Sequence, residues 1–232
     1  MHVMEGLYNK LLRKKNGYVH YEAVQGLFYN RVARHSLIST NGFAIDPSHF
    51  ESDYRISRFV RDPRDLIVSG YFYHLKGSEP WFRFKTPSTS YWSAINACVP
   101  HEMPSGLSYQ EYLSGLSLED GLLAEMEFRK YHLESLRHWE TGPKIRVWKY
   151  EDILGNEEQV FRELFDFYEV SAIEKWLGVQ LAKRYAYSGT KSLVKHIRNP
   201  VPGQWRGVFT EKVEEAFNRD YADLLDSLGY EK

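Results

Sequence analysis

The segment RISRFVRDPRDLIVSGYFYH, residues 55–74, constrains the chain most. Apolar and polar residues alternate from Arg55 to Val60, the period of a short strand. Asp62 and Pro63 then open a helix. An aspartate at the cap accepts a backbone N–H, and a proline at the first helical position loses no hydrogen bond. The helix runs through Leu66, Ile67, Gly70 and Tyr71 to about Leu75. Strand, tight turn and helix in that order form the unit from which parallel α/β sheets are built, so the chain is predicted to be α/β.

The rest of the chain fits one domain over residues 1–232, with a substantial core. The pattern predicts a helix over 5–16, a strand over 27–34 and a strand over 145–149. Residues 108–138 read as helical, broken near Gly115 and restarted near Leu118. Residues 156–168 and 171–184 read as two amphipathic helices. Thr210 caps a last helix from Glu211 to Leu228, which Gly229 ends. Residues 78–106 carry Pro, Gly, Ser and Trp without a period and read as an irregular excursion. Residues 185–209 are loop-like, with Pro200, Pro202 and Gly203 as turn formers.

A net charge of −1 argues against a nucleic-acid partner, which needs a broad cationic face, but it leaves room for a local pocket for one small polyanion. Cys98 is the single cysteine, so no intrachain disulfide forms and a reducing compartment fits. No apolar run reaches the roughly 20 residues that span a bilayer. Residues 1–15 lack the apolar stretch of a signal peptide, and the chain reads as cytoplasmic. Acidic residues show no metal-ligand spacing, so no metal is expected.

Arg61 stands at the carboxyl end of the predicted strand, where ligands of open α/β sheets bind. Its fork of donors suits a phosphate, and the helix that follows offers free N–H groups. Ser69 lies about two turns into that helix. The residues leave two readings of Arg61 open: an anion site, or a surface ion pair with Asp62 or Asp65.

The run Arg61-Asp62-Pro63-Arg64-Asp65, followed by Ser69-Gly70-Tyr71, resembles the motif of sulfotransferases that use 3′-phosphoadenosine-5′-phosphosulfate (PAPS). The run RNPVPGQWRGVFT, residues 198–210, is similar to the same family's C-terminal phosphate loop at Arg198, Gly203, Trp205, Arg206, Phe209 and Thr210. Asn199 and Pro200 stand where that pattern has Lys and Gly, and Pro200 has no N–H to give. Tyr150-Glu151-Asp152, after the strand 145–149, is similar to a third family segment.

The resemblance implies a three-layer fold like that of the P-loop NTPases, with a mostly parallel central sheet between helices. It implies that Arg61, Ser69 and Arg198 hold the 3′-phosphate of PAPS, with Gly203 in the same loop, and that Tyr150 meets the adenine. It implies transfer of a sulfuryl group to a hydroxyl acceptor, such as a glycan, with release of adenosine 3′,5′-bisphosphate. His35 is the candidate base, with His74, His101 and His132 in reserve. His74 is expected in packing or capping and His132 on a solvated face. Trp81, Phe82, Phe84, Tyr91 and Trp92 are expected mostly in packing, with an acceptor cleft as the other reading.

The family's Lys-Ser-Gly-Thr-Thr loop, which cradles the 5′-phosphosulfate, has no counterpart here. Three explanations stand open: a truncated chain, a substitute among Lys10, Arg13, Lys14 and Lys15, or a relative that binds a nucleotide or acts as a scaffold without turnover. The absence of a G-x-x-x-x-G-K-[ST] sequence weighs against phosphoryl transfer.

Overall fold

The computed structural model describes residues 16–19, 37–40, 45–50, 53–77, 80–85, 92, 97–137, 139–185 and 199–231. Its strands are β1 (Asn16–Val19), β2 (Leu37–Thr40), β3 (Ile56–Val60) and β4 (Ile145–Lys149). Its helices are α1 (Pro63–Lys76), α2 (Tyr109–Ser114), α3 (Leu118–Phe128), α4 (Lys130–Leu136), α5 (Tyr150–Ile153), α6 (Glu157–Phe167), α7 (Ala172–Tyr185) and α8 (Glu211–Leu228). Strands and helices alternate from β3 to α1 and from β4 to α5, as the α/β reading expects. β1 pairs with β2 in parallel, Asn16 opposite Leu37, and β3 pairs with β4 in a second two-stranded sheet.

The helix expected over 5–16 does not take in Asn16, which opens β1. Asn16-Gly17-Tyr18-Val19 combines poor helix formers with residues that prefer extended backbone. β2 was not among the expected strands, and the strand expected over 27–34 lies outside the described residues. Elsewhere the local signals hold. Asp62 accepts the amide of Arg64 at the start of α1, and Gly77 ends that helix in a left-handed turn. Ser108 and Glu111 form a capping box on α2. Thr210 caps α8, and Gly229 closes it at φ 68°.

The chain forms two compact units. The first comprises residues 1–58, 141–147 and 152–189. In it α6 and α7 are joined by a short turn and pack on each other. Leu164 and Val179 are buried there, and a Cβ on Gly178 would strike the Phe165 ring.

The second unit comprises residues 59–140, 148–151 and 190–232. α1 packs on α2, α3 and α8. Ile67, Val68, Leu122, Leu133, Phe217, Leu224 and Leu225 are fully buried in its core. Phe82 and Trp92 from the irregular excursion are buried, whereas Phe84 is 51% exposed.

An ionisable cluster lies inside this unit. Glu125 on α3 is fully buried. Its Oε2 accepts the Tyr109 hydroxyl at 2.9 Å and stands 2.6 Å from His74 Nδ1, while its Oε1 accepts Arg129 Nε at 2.6 Å. Three partners on its two oxygens are what let this carboxylate survive burial. Burial opposes its charge, but His74 and Arg129 outweigh that and hold the carboxyl below its ordinary range. Burial also holds His74 below 6.5, against the pull of Glu125.

His132 is half-buried rather than on a solvated face. It meets Arg129 Nη1 at 3.4 Å, and burial first, then that guanidinium, pushes its pKa down to about 3. Helical spacing gives no sign of this contact with Arg129, which lies between α3 and α4.

The packing of α1 on α3 needs Gly70, since a Cβ there would collide with Glu125 Oε1 and the Arg129 guanidinium. Gly70→Ala is expected to lower stability by about 1–3 kcal/mol, read by urea unfolding. His74, Glu125 and His132 all bind protons less readily folded than unfolded. Acid therefore favours the unfolded chain, first below 6.5 as its histidines charge and then below 4.5 as its carboxylates do. The melting temperature should fall steadily on acidification from pH 7, and His132→Asn should flatten that slope. A melting temperature that rises on acidification contradicts the assignment.

Candidate anion site

Arg61, Ser69, Tyr150 and Gly203 all belong to the second unit. β3 ends at Val60 and delivers Arg61 half-buried beside the start of α1. The Arg61 guanidinium lies 4.9 Å from the Tyr150 ring centroid. Its Nη2 reaches Asp65 Oδ2 at a long 3.4 Å, while its Nε is buried without a partner. The ion pair with Asp65 therefore exists, but Asp65 is fully buried rather than on the surface. Ser69 is half-buried, two turns along α1.

Asp65 does more than face Arg61. Its Oδ2 accepts the amide of Gly203 at 2.7 Å and its Oδ1 accepts the amide of Trp205 at 3.0 Å. One buried carboxylate thus draws the loop 199–207 to the end of β3. Gly203 supplies its amide from a left-handed backbone, φ 78°, which a residue with a Cβ adopts only under strain. A Cβ there would also press on Arg206 Nη1 at 2.8 Å.

The loop braces itself. Asn199 Oδ1 accepts the amide of Val201 at 3.1 Å, and Gln204 Nε2 donates to the carbonyls of Asn199 and Val201, both at 2.9 Å. Pro200, which has no N–H, contributes its carbonyl instead, accepting the Tyr150 hydroxyl at 3.0 Å. Tyr150 thus ties β4 to the loop.

Trp205 is buried in a stack of cations. Arg64 lies 3.8 Å from its ring centroid and Arg206 lies 4.7 Å from it. The indole Nε1 is buried without a partner. Arg64 differs from Arg61 in its close contacts: Nε and Nη2 grip the two oxygens of Asp62 at 3.0 and 2.8 Å, and Nη2 also reaches the Glu231 carbonyl at 2.7 Å. The start of α1 is likewise occupied. The amide of Arg64 goes to Asp62 Oδ1, and that of Asp62 goes to Glu151 Oε1. The sequence suggested an anion resting on these amides; the molecule's own carboxylates take them, which leaves the Arg61 side chain as the group facing an anion.

The structure therefore brings Arg61, Tyr150 and Gly203 together around Asp65. His35 and Arg198 lie outside the described residues. Sequence reasoning missed Asp65 as the organiser, along with Glu151 and Arg64. All three stand inside the motifs already quoted, where Asp65 reads only as a possible surface partner of Arg61. His74, a reserve base, is sealed in the Glu125 cluster, 3% exposed.

Comparison with curated proteins finds no match. Solved structures with some similarity include retinol dehydratase in complex with androsterone and the inactive cofactor PAP, at 16% identity and TM-score 0.43, over 82% of this chain and 52% of that one. Mouse sulfotransferase SULT7A1 complexed with PAP aligns at 13% identity and TM-score 0.41, over 74% of this chain and 58% of that one. Retinol dehydratase in a complex with retinol and PAP aligns at 17% identity and TM-score 0.39, over 82% and 53%. This chain spans a little over half the length of those proteins. The family model of the sulfotransferase domain matches residues 42–229, a span that takes in Arg61, Asp65, Tyr150 and the loop 199–207. On that match over most of its length, the chain belongs to the sulfotransferase domain family.

Proposed function

We propose that the protein transfers a sulfuryl group from PAPS to a hydroxyl acceptor and releases adenosine 3′,5′-bisphosphate. The observation that carries this reading is Arg61, a guanidinium at the carboxyl end of a strand with a long contact to Asp65 and a buried, unpartnered Nε. The side chain keeps 17% of its surface exposed, so the guanidinium has an open end that a phosphate oxygen can meet with charge-assisted hydrogen bonds. The residues thus fit a 3′-phosphate, with Arg61 just after β3, Ser69 on α1 and Arg198 directly before the braced loop. Tyr150, under the Arg61 guanidinium, offers a ring to the adenine.

PAPS supplies the sulfuryl group when bound. In the reaction the acceptor oxygen bonds to sulfur as the bond from sulfur to the phosphate oxygen breaks, and His35 takes the acceptor's proton. The acceptor is a hydroxyl compound of the carbohydrate class. Phe84 supports that choice, since its exposed ring suits a sugar face, whereas Phe82 and Trp92 are spent in the core.

Calorimetry with adenosine 3′,5′-bisphosphate, followed by incubation with PAPS and a panel of hydroxyl acceptors, tests the reading. Tight binding with no product on any acceptor would instead identify a nucleotide binder without turnover. Arg61→Ala and Arg198→Ala are each expected to weaken bisphosphate binding by about 1.5–3 kcal/mol, the range for a lost charge-assisted hydrogen bond. His35→Ala is expected to lower turnover by about 10²–10⁴-fold with bisphosphate affinity nearly unchanged. Full turnover in that variant would assign the base elsewhere.

A further inference from the structure

Three residues after α8 reach back to the frame of the anion site. Lys149 Nζ donates to the Gly229 carbonyl at 2.5 Å and lies 4.5 Å from the Tyr230 ring centroid. The Tyr230 hydroxyl donates to Glu151 Oε2 at 2.8 Å. The other oxygen of that carboxylate, Oε1, accepts the amide of Asp62 at 2.9 Å. Asp62 directly follows Arg61, so Glu151 fixes the peptide that aims the Arg61 side chain. The Glu231 carbonyl accepts Arg64 Nη2 at 2.7 Å, and Arg64 stacks on Trp205 at 3.8 Å. Trp205 in turn carries one of the two amides held by Asp65.

We propose that Gly229–Glu231 is a clasp that positions the anion site. Tyr230 acts through Glu151 on the backbone at Asp62, and so on Arg61. Glu231 acts through Arg64 on Trp205, and so on the loop 199–207. Tyr230 and Glu151 are positioning residues: neither needs to touch the ligand. The arrangement is more than a helix tail sealing a core, because its polar contacts converge on the residues flanking Arg61. Tyr230 is half-buried and Glu231 exposed, so apolar burial alone gives this segment little reason to fold back.

The role of the clasp in ligand affinity rests on the cofactor reading above; its role in fixing the Asp62 amide does not. Two measurements on the full chain separate them. The first is calorimetry with adenosine 3′,5′-bisphosphate, with thermal melting alongside. The second is hydrogen exchange at the Asp62 and Trp205 amides without ligand. Tyr230→Phe, which removes only the hydroxyl, and Glu151→Gln are expected to weaken binding by about 3–10-fold, the worth of one hydrogen bond. Melting temperature should hardly move, and exchange at Asp62 should quicken. The double variant should bind no worse than Glu151→Gln alone, because both act on one path.

Wild-type affinity and wild-type exchange in both single variants would overturn the clasp. So would a lower melting temperature with unchanged affinity and exchange, the mark of a tail that merely seals α8. If the unaltered protein ignored the bisphosphate while Tyr230→Phe quickened exchange at Asp62, the clasp would stand and the cofactor reading would fall.

Discussion

The second unit turns on one carboxylate. Asp65 is fully buried at the first turn of α1, where an ion without partners would cost several kcal/mol. It finds the amides of Gly203 and Trp205, both from a distant loop. The carboxylate thereby turns a loop rich in turn formers into a fixed wall beside β3. Arg61 meets the same carboxylate at the edge, 3.4 Å away, so its orientation follows from that anchoring. Remove the acid and two buried N–H groups and one guanidinium lose their acceptor together.

The two arginines on either side of the Asp62-Pro63 turn show how environment decides role. Arg64 is 3% exposed and is held by Asp62 on one side, a carbonyl at its tip and the Trp205 ring beneath. It is a structural cation. Arg61 has one long contact, a ring to lie over and a buried nitrogen left over. Identical side chains three residues apart thus differ in the capacity each has left for an incoming anion. Such spare capacity is the electrostatic mark of a binding residue, because a saturated group gains nothing from a ligand.

Much of this was legible in advance where the signal is local. Asp62-Pro63 marks the start of α1 and Thr210 and Gly229 mark the two ends of α8, because caps and left-handed turns depend on a few neighbouring residues. The ion pair of Arg61 with Asp65 was foreseen as one of two readings, but its burial was not. Burial depends on Gly203 and Trp205, and nothing in the spacing announces it. For the same reason His132 read as a solvated face: its partner is the side chain at the junction of α3 and α4, Arg129. β2 went unseen because four residues carry too little period to register. Sequence patterns report the turn a residue sits in, and tertiary partners decide what that residue is for.

The bonds from Gly203 and Trp205 to Asp65 span separations of 138 and 140 residues. Closing so long a stretch of chain costs entropy that only an already ordered partner surface repays. The loop should therefore settle after α1 and its helical neighbours have packed, making the anion-facing wall a late arrival in folding. By the same token it opens at a lower cost than the helices behind it, as an outlying unit of stability rather than part of the last structure to melt. A chain emerging from the ribosome cannot complete this wall until Trp205 has been made, long after the helix that carries Asp65.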